Sequence, residues 1–132
     1  MPDRKSFRQF RKKAGRAVTA VQLNLDVEGF EYRKWGGTQR CKRGDWVLDN
    51  DGDVYTVDAE TFASTYREVG PGRYEKSATV WARKAESEGS IETKEGVTHY
   101  DAGDFLVYND AELRDGYAVS EKKFGELYER CE

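Results

Sequence analysis

The sequence repeats one pattern of residues in its two halves. Residues 44–48 read GDWVL and residues 103–107 read GDFLV. The same order of tyrosine, valine, phenylalanine and tyrosine follows each group: Tyr55, Val57, Phe62 and Tyr66, then Tyr117, Val119, Phe124 and Tyr128. A unit of about 50 residues buries too little apolar surface to be stable alone. The repeat therefore predicts two related halves that share one core.

The two halves align without a gap over residues 21–50 and 80–109, at the separation of Gly44 from Gly103. Beyond Asn109 the second half is longer, and its additional residues fall within 110–115. Connecting segments tolerate changes in length better than strands or helices do. We therefore expect a loop over residues 110–115.

Alternation of apolar and polar residues predicts the strands. Residues 19–26 place Val21, Leu23 and Leu25 on one face, which is the period of a half-buried strand, and residues 30–35 continue as a second extended segment. Residues 46–48 and 54–57 flank the turn-forming sequence DNDGD, which predicts a β-hairpin.

A short helix is expected at the end of each half. Asp58 and Ser120 are suitable N-cap residues, and an i, i+4 aromatic pair follows each of them: Phe62 with Tyr66, and Phe124 with Tyr128. Helices of about ten residues need a sheet to pack against.

These elements predict an α+β protein. We expect two β-rich repeats, each a small antiparallel sheet or roll closed by a short C-terminal helix, packed with approximate twofold symmetry. The expected organisation is a basic N-terminal arm over residues 1–16, a first repeat over 17–69, a connector over 70–73 and a second repeat over 74–132. A connector of this length indicates that the repeats form one compact domain.

Charge is distributed unevenly along the chain. Residues 1–16 hold seven basic residues and one acidic residue, which gives this segment +6 and the remainder −9 in a chain of net charge −3. A basic arm can contact nucleic acid, here through Arg8, Arg11, Lys12, Lys13 and Arg16, but it can equally fold onto its own acidic body or remain solvated. The last two interpretations are favoured, so a nucleic-acid partner is not expected.

Other sequence features bound the location of the protein. No apolar run approaches the roughly 20 residues of a membrane span, and no signal-peptide pattern follows the N-terminal charges, so we expect a cytoplasmic protein without a membrane partner. Cys41 and Cys131 have no metal-type spacing and are expected to be reduced, unrelated thiols.

The duplicated Gly-Asp pair has two interpretations. Asp45 and Asp104 could line a shared site as an acid-base pair. Alternatively, each glycine supplies a positive φ in a tight turn, and each aspartate accepts hydrogen bonds from nearby backbone amides. The turn interpretation is favoured because it explains both residues together.

Residues that are not shared by the halves are further ligand candidates. Trp35 aligns with Lys94 of the other half, and Trp81 aligns with Gln22. The single histidine, His99, aligns with Arg40. Large aromatic side chains beside basic residues can form a stacking surface for a ligand. Packing between the halves is the favoured use of both tryptophans.

One segment has the acidic spacing of a calcium loop. Asp49, Asp51, Asp53 and Glu60 occupy loop positions 1, 3, 5 and 12 of an EF-hand. However, Val54 stands where the loop needs glycine, and no helix is expected before the segment. An acidic hairpin turn is the favoured interpretation, and neither a metal nor another cofactor is expected.

The chain resembles the PGDYG family, which comprises small proteins and domains of bacteria and tailed phages. The resemblance is carried by residues 11–13, 20–22, 43–46 and 52–55 with Phe62 and Tyr66, and a second copy is similar over residues 95–96 and 102–105 with Tyr117, Phe124 and Tyr128. The chain departs from the family name: Arg43 and Ala102 stand for its proline, and Val47 and Leu106 for its final glycine. The resemblance implies a fold but no catalytic residue, since the family has no established activity.

The sequence contains no nucleophile, base or metal constellation, which favours a non-enzymatic binding or interaction module. Its expected ligand surface is the groove between the halves, near Trp35, Trp81, Asp45, Asp104 and His99. A hydrolase that uses Asp45 and Asp104, and nucleic-acid binding through the N-terminal arm, are the alternatives.

Overall fold

A computed structural model describes residues 6–131. Its strands are β1 (Arg8–Lys12), β2 (Val18–Gln22), β3 (Gly29–Lys34), β4 (Gly37–Lys42), β5 (Trp46–Asn50), β6 (Asp53–Val57), β7 (Tyr66–Gly70), β8 (Arg73–Lys76), β9 (Val80–Lys84), β10 (Gly89–Glu92), β11 (Val97–Tyr100), β12 (Phe105–Tyr108), β13 (Gly116–Val119) and β14 (Tyr128–Arg130). The helices are α1 (Ala59–Thr65) and α2 (Glu121–Leu127). The expected α+β class is confirmed.

The strands form two five-stranded antiparallel sheets and two separate hairpins. Sheet I has the order β6-β5-β2-β8-β7, and sheet II has the order β13-β12-β9-β1-β14. Strands β3 and β4 form one hairpin, and strands β10 and β11 form the other. The loop expected over residues 110–115 is confirmed, because it connects β12 to β13.

Each sheet contains one strand from the other half of the chain. Strand β1, which leads into β2 of sheet I, pairs instead with β9 and β14 of sheet II. Strand β8, which leads into β9 of sheet II, pairs with β2 and β7 of sheet I. The two sheets are therefore linked by an exchange of strands, and neither is complete without the other half of the sequence.

This exchange changes the expected organisation of the chain. Residues 8–12, which were assigned to a basic arm, form the second strand from an edge of sheet II. Residues 70–73 do not divide the sheets, because Gly70 pairs with Arg73 in the turn of the β7–β8 hairpin. Strand β8 therefore belongs with β2 and β7, although it lies beyond the expected connector.

The face of the first predicted strand is wrong by one residue. Val18 and Ala20 are buried, whereas Val21 and Leu25 are each 65% exposed. The pairing of β2 with β5 fixes this face, because it places Ala20 opposite Leu48 in the core. Val21 pairs with Val47 in sheet I, and Arg83 pairs with Leu106 in sheet II, so Arg83 and not Val80 is the counterpart of Val21. The ungapped alignment therefore fails before the first hairpin.

The β5–β6 hairpin and both helix starts are confirmed. Asp51 and Gly52 form the two-residue turn with φ of 54° and 94°. The Asp58 side chain accepts hydrogen bonds from the amides of Glu60 and Thr61, and Ser120 accepts one from Lys123. Both helices have seven residues rather than about ten, because the backbone becomes extended at Tyr66 and Tyr128.

The aromatic residues shared by both halves form the expected core. In sheet I, Phe62 stacks between Trp46 and Tyr66 at centroid distances of 4.1 and 4.7 Å. In sheet II, Phe124 stacks between Phe105 and Tyr128 at 4.1 and 4.9 Å. Stacks of this kind fix each helix on its sheet. Both cysteines are free, and Cys41 is buried.

The two hairpins meet edge to edge along β4 and β11. The Arg40 amide donates to the Glu95 carbonyl at 2.6 Å, and Gln39 Nε2 donates to the Val97 carbonyl at 2.6 Å. A Cβ on Gly37 would lie 2.2 Å from the Val97 oxygen, and one on Gly96 would lie 2.0 Å from the Thr38 oxygen. This close approach of two backbones requires glycine at both positions.

The position of β1 in sheet II gives the first prediction. Phe10 packs edge-on against Phe124 at a centroid distance of 4.9 Å. We expect Phe10→Ala to lower the free energy of unfolding by roughly 3 kcal/mol, because it removes a ring from the core of sheet II. Urea denaturation measures the change. The matched control is Arg16→Ala, an exposed position in the same basic segment, with an expected effect within about 0.5 kcal/mol. Equal effects of the two substitutions would contradict the placement of β1.

Candidate functional site

A cavity of about 420 Å³ lies between sheets I and II, and we call it the seam cavity. Its walls come from β6, α1, β7 and β8 on one side and from β13, α2, β14 and β1 on the other. Residues of both separate hairpins complete it. The exchanged strands β1 and β8 each supply a lysine to its wall, Lys12 and Lys76.

Four tyrosines, two from each sheet, line the seam cavity. The hydroxyl groups of Tyr117 and Tyr128 are 2.8 Å apart and share a hydrogen bond. The side chains of Tyr55 and Tyr66 are also hydrogen-bonded to each other. Burial raises the pKa of Tyr66 and of Tyr117 well above 10, so both phenols keep their protons at neutral pH.

Lys12 and Lys76 lie at corresponding places in the two sheets. Lys12 pairs with Tyr128 across β1 and β14, and Lys76 pairs with Tyr66 across β8 and β7. Lys76 Nζ donates to the Tyr117 hydroxyl at 2.7 Å and lies 4.8 Å from the centroid of that ring. Lys12 Nζ lies 5.8 Å from the Tyr128 centroid. We call these two lysines and the four tyrosines the lysine–tyrosine cluster.

The environment disfavours positive charge on both lysines. Burial lowers the pKa of Lys76 to about 7, and the nearby charge of Lys12 acts in the same direction while Asp115 opposes it. Burial lowers the pKa of Lys12 to about 8, with smaller contributions from Arg16 and Lys123. None of the ion pairs formed within residues 6–131 includes either lysine. Within the described residues, neither lysine of the cavity therefore has a carboxylate at ion-pair distance, and each carries its full charge only below its lowered pKa.

Carboxylates of the cavity wall are engaged elsewhere. Asp115 Oδ2 accepts hydrogen bonds from Thr61 Oγ1 at 2.8 Å and from Asn109 Nδ2 at 3.2 Å. Glu95 Oε2 accepts one from the Asp58 amide at 2.7 Å, and burial raises the Glu95 pKa to about 7. Asn109 Oδ1 is buried and has no hydrogen-bond partner within the described part of the chain.

Three of the five predicted ligand residues line the seam cavity. Trp35, Asp104 and His99 contribute to its wall, and the Trp35 ring lies 6.0 Å from that of Tyr55. Trp81 does not, because it packs on the core cluster that contains Tyr108. Asp45 is not part of the wall either.

The structure explains the duplicated aspartates as turn residues. Asp45 is 1% exposed and accepts hydrogen bonds from the amides of Lys42 at 2.9 Å and Ala59 at 3.0 Å. Asp104 accepts the Asp101 amide at 2.9 Å. Gly44 and Gly103 have φ of 95° and 94°, as the turn interpretation requires. Asp45 also connects its turn to the first residue of α1.

Two further alternatives from the sequence, a calcium loop and a nucleic-acid-binding arm, can be compared with the structure. Asp49 accepts the Gly52 amide at 2.8 Å within the hairpin turn, whereas Asp53 binds Lys34 and Lys123. No three His, Cys, Asp or Glu side chains of residues 6–131 form a group that could hold a metal ion. The structure therefore does not bring Asp49, Asp51, Asp53 and Glu60 together as a calcium loop would require.

Part of the basic segment is engaged within the fold. Arg11 binds Glu129 at 2.7 Å, Lys13 Nζ donates to the Gly125 carbonyl at 2.8 Å, and Lys12 lines the seam cavity. Arg16 is exposed. The nucleic-acid alternative therefore lacks a continuous set of free cations in β1.

The sequence analysis missed the lysine–tyrosine cluster. The rings of Tyr66 and Tyr128 stack in the core as expected, and both residues also line the seam cavity. The signal in the sequence is that Lys12 lies shortly before β2 and Lys76 lies shortly before β9, which are equivalent strands of the two sheets. The ungapped alignment of residues 21–50 with 80–109 does not include this pair, because both lysines lie before its first aligned positions.

Comparisons with protein-family models, with curated proteins and with solved structures gave no match. Within residues 6–131, neither helix has the length and apolar character to cross a membrane.

The different burial of the two duplicated aspartates gives the second prediction. We expect Asp45→Ala to lower the free energy of unfolding by about 2–4 kcal/mol, because two amides lose their acceptor at a buried position. Asp104→Ala should cost about 1 kcal/mol, since it removes one such bond at a partly exposed turn. Chemical denaturation of both variants measures the difference, and a larger loss for Asp104→Ala would contradict it.

The lowered pKa of Lys76 gives the third prediction. Between about pH 7 and pH 9 the unfolded chain holds a proton on Lys76 that the folded protein has released, so the free energy of unfolding rises with pH. In Lys76→Met this slope should fall by up to about 1 kcal/mol per pH unit. The control is Lys122→Met on the exposed face of α2, which should keep the wild-type slope. Denaturation across this pH range measures both, and an unchanged slope in Lys76→Met would contradict the burial of its amine.

Proposed function

We propose that this protein is a binding module for a small anionic molecule with an aromatic or apolar body, held in the seam cavity. The observation that carries this proposal is the presence of two lysines, Lys12 and Lys76, in one aromatic cavity, where neither has a carboxylate partner among residues 6–131. Both lysines are half-buried. A cation that is partly removed from water without a counter-ion is unfavourable, and an anionic ligand reduces that cost.

The aromatic walls support the rest of the ligand. Rings of Tyr55, Tyr66, Tyr117 and Tyr128, with Trp35 at the hairpin, offer flat apolar surfaces for stacking. A volume of about 420 Å³ lies within the range of small-molecule sites. These features favour a compact molecule with one acidic end.

We also propose that the chain is a tandem of two copies of one module with approximate twofold symmetry. The matching strand orders of sheets I and II, the matching contacts of Lys12 and Lys76, and the matching glycines at the hairpin contact support this proposal. In such an arrangement the ligand site lies where the two copies meet. Membership of the PGDYG family and a cytoplasmic location stay predictions.

The two alternative functions receive less support. A hydrolase based on Asp45 and Asp104 would need carboxylates free to reach a substrate, whereas Asp45 is buried and bonded to two amides. Nucleic-acid binding through the N-terminal segment would use several of its cations together. Lys12 lines the seam cavity and Lys13 donates to the Gly125 carbonyl, which leaves Arg8, Arg11 and Arg16 exposed.

The fourth prediction tests the anion site with benzoate. At about pH 6.5 and ten times its Kd, benzoate should stabilise the protein by about 1.4 kcal/mol, which corresponds to a rise in Tm of roughly 5 °C. Benzyl alcohol, which has the same ring but no charge, should give a much smaller rise. Thermal unfolding followed by tryptophan fluorescence measures both.

Matched variants locate the effect. Lys12→Met and Lys76→Met should each weaken benzoate binding about tenfold, because each removes one cation from the cavity. Lys122→Met should bind as the wild type does. Equal stabilisation by benzoate and benzyl alcohol, or wild-type binding by both cavity variants, would contradict the proposal.

A further inference from the structure

The two lysines of the seam cavity are not equivalent in their hydrogen bonds. Lys76 Nζ donates to the Tyr117 hydroxyl at 2.7 Å, and that hydroxyl is 2.8 Å from the Tyr128 hydroxyl. Lys12 Nζ faces the ring of Tyr128 at 5.8 Å and takes part in no hydrogen bond within the described chain. Only Lys76 therefore has a hydroxyl relay for moving protons.

We propose that Lys76 is an amine nucleophile that captures a small 2-oxo acid as an imine in the seam cavity, with Tyr117 as the proton carrier. This inference rests on the proposed anion site and names the ligand class for it. Lys12, which has no relay, keeps its proton and holds the carboxylate of the 2-oxo acid. A lysine made neutral by an apolar pocket or a neighbouring cation is an established form of activated nucleophile.

The step is balanced without an added oxidant or reductant. The lone pair of the neutral Lys76 nitrogen attacks the carbonyl carbon, and the π electrons of the carbonyl move to its oxygen. Tyr117 gives its proton to that oxygen and takes one from the nitrogen, which yields a carbinolamine. Loss of the hydroxyl group with a second proton then releases one water and leaves a carbon–nitrogen double bond. The Tyr128 hydroxyl, bonded to that of Tyr117, extends the relay.

The charges around Lys76 support its reactivity at neutral pH. Burial and the charge of Lys12 lower the Lys76 pKa to about 7, whereas Asp115 acts in the opposite direction. The tyrosines that face Lys76 are Tyr66 and Tyr117, and burial raises the pKa of both, so neither supplies a negative charge. At pH 7 the neutral fraction of such an amine exceeds that of an ordinary lysine by about a thousandfold.

The test uses glyoxylate with sodium cyanoborohydride at about pH 7, followed by peptide mass mapping. Reduction of the imine leaves one carboxymethyl group on the lysine that formed it. We expect Lys76 to be modified at least about tenfold faster than the exposed Lys122, because more of its amine is neutral. Modification of Lys76 at or below the rate of Lys122 would overturn the inference.

Substitutions separate the roles of the neighbouring residues. Tyr117→Phe should slow modification of Lys76 at least about fivefold while thermal unfolding shows that the variant is folded. Lys12→Met should slow modification by glyoxylate more than modification by acetaldehyde, which has no carboxylate. Some slowing of both is expected, because loss of the Lys12 charge raises the pKa of Lys76. Equal slowing by both aldehydes would overturn the assigned role of Lys12, and an unchanged rate in folded Tyr117→Phe would overturn the proton relay.

Benzoate distinguishes this inference from the function on which it rests. If benzoate stabilises the wild-type protein and Lys76 is not modified preferentially, the anion site stands and the imine chemistry fails. If Lys76 is modified rapidly and benzoate neither stabilises the protein nor slows the modification, the anion site fails. Both are supported when benzoate slows modification of Lys76 by competition and leaves that of Lys122 unchanged.

Discussion

The exchange of strands β1 and β8 between the two sheets is the constraint on which the other features of this structure depend. Each sheet takes its fourth strand from the opposite half of the sequence, so neither half can complete its hydrogen bonds alone. The same exchange brings Lys12 beside Tyr128 and Lys76 beside Tyr66. The exchange of strands that links the two halves thus also determines which residues line the seam cavity.

The seam cavity combines features that favour a ligand over a packed interior. Its tyrosine rings are apolar, but their hydroxyl groups bond to one another and to Lys76. Within residues 6–131, Lys12 and Lys76 have no carboxylate partner, so removing their charges from water is unfavourable, and apolar packing does not compensate for it. The walls of the cavity are held by two kinds of packing. The hairpin backbones approach closely at Gly37 and Gly96, and aromatic rings stack beneath both helices.

Much of the local structure was predictable, because local signals are strong at turns and helix starts. The sequence DNDGD predicted the β5–β6 hairpin, and Asp58 and Ser120 predicted both helix starts. The face of β2 was predicted wrongly because alternation allows either face of a strand to be buried. Pairing with β5 decides this face, and Val21 points to solvent although it is apolar. Trp81 was a candidate for the ligand surface but packs in a core cluster.

The sequence by itself determined the repeated pattern of residues, the class of fold and the aromatic residues that pack beneath each helix, and it favoured the turn role of Asp45 and Asp104. These features follow from interactions between residues that are close in the chain or equivalent in its two halves. The tertiary structure alone decided that β1 and β8 change sheets and that Lys12, Lys76 and four tyrosines meet in one cavity. Neither the partner of a strand nor the burial of a lysine is encoded by its local sequence, because both depend on hydrogen bonds and solvent exclusion between residues distant in the chain.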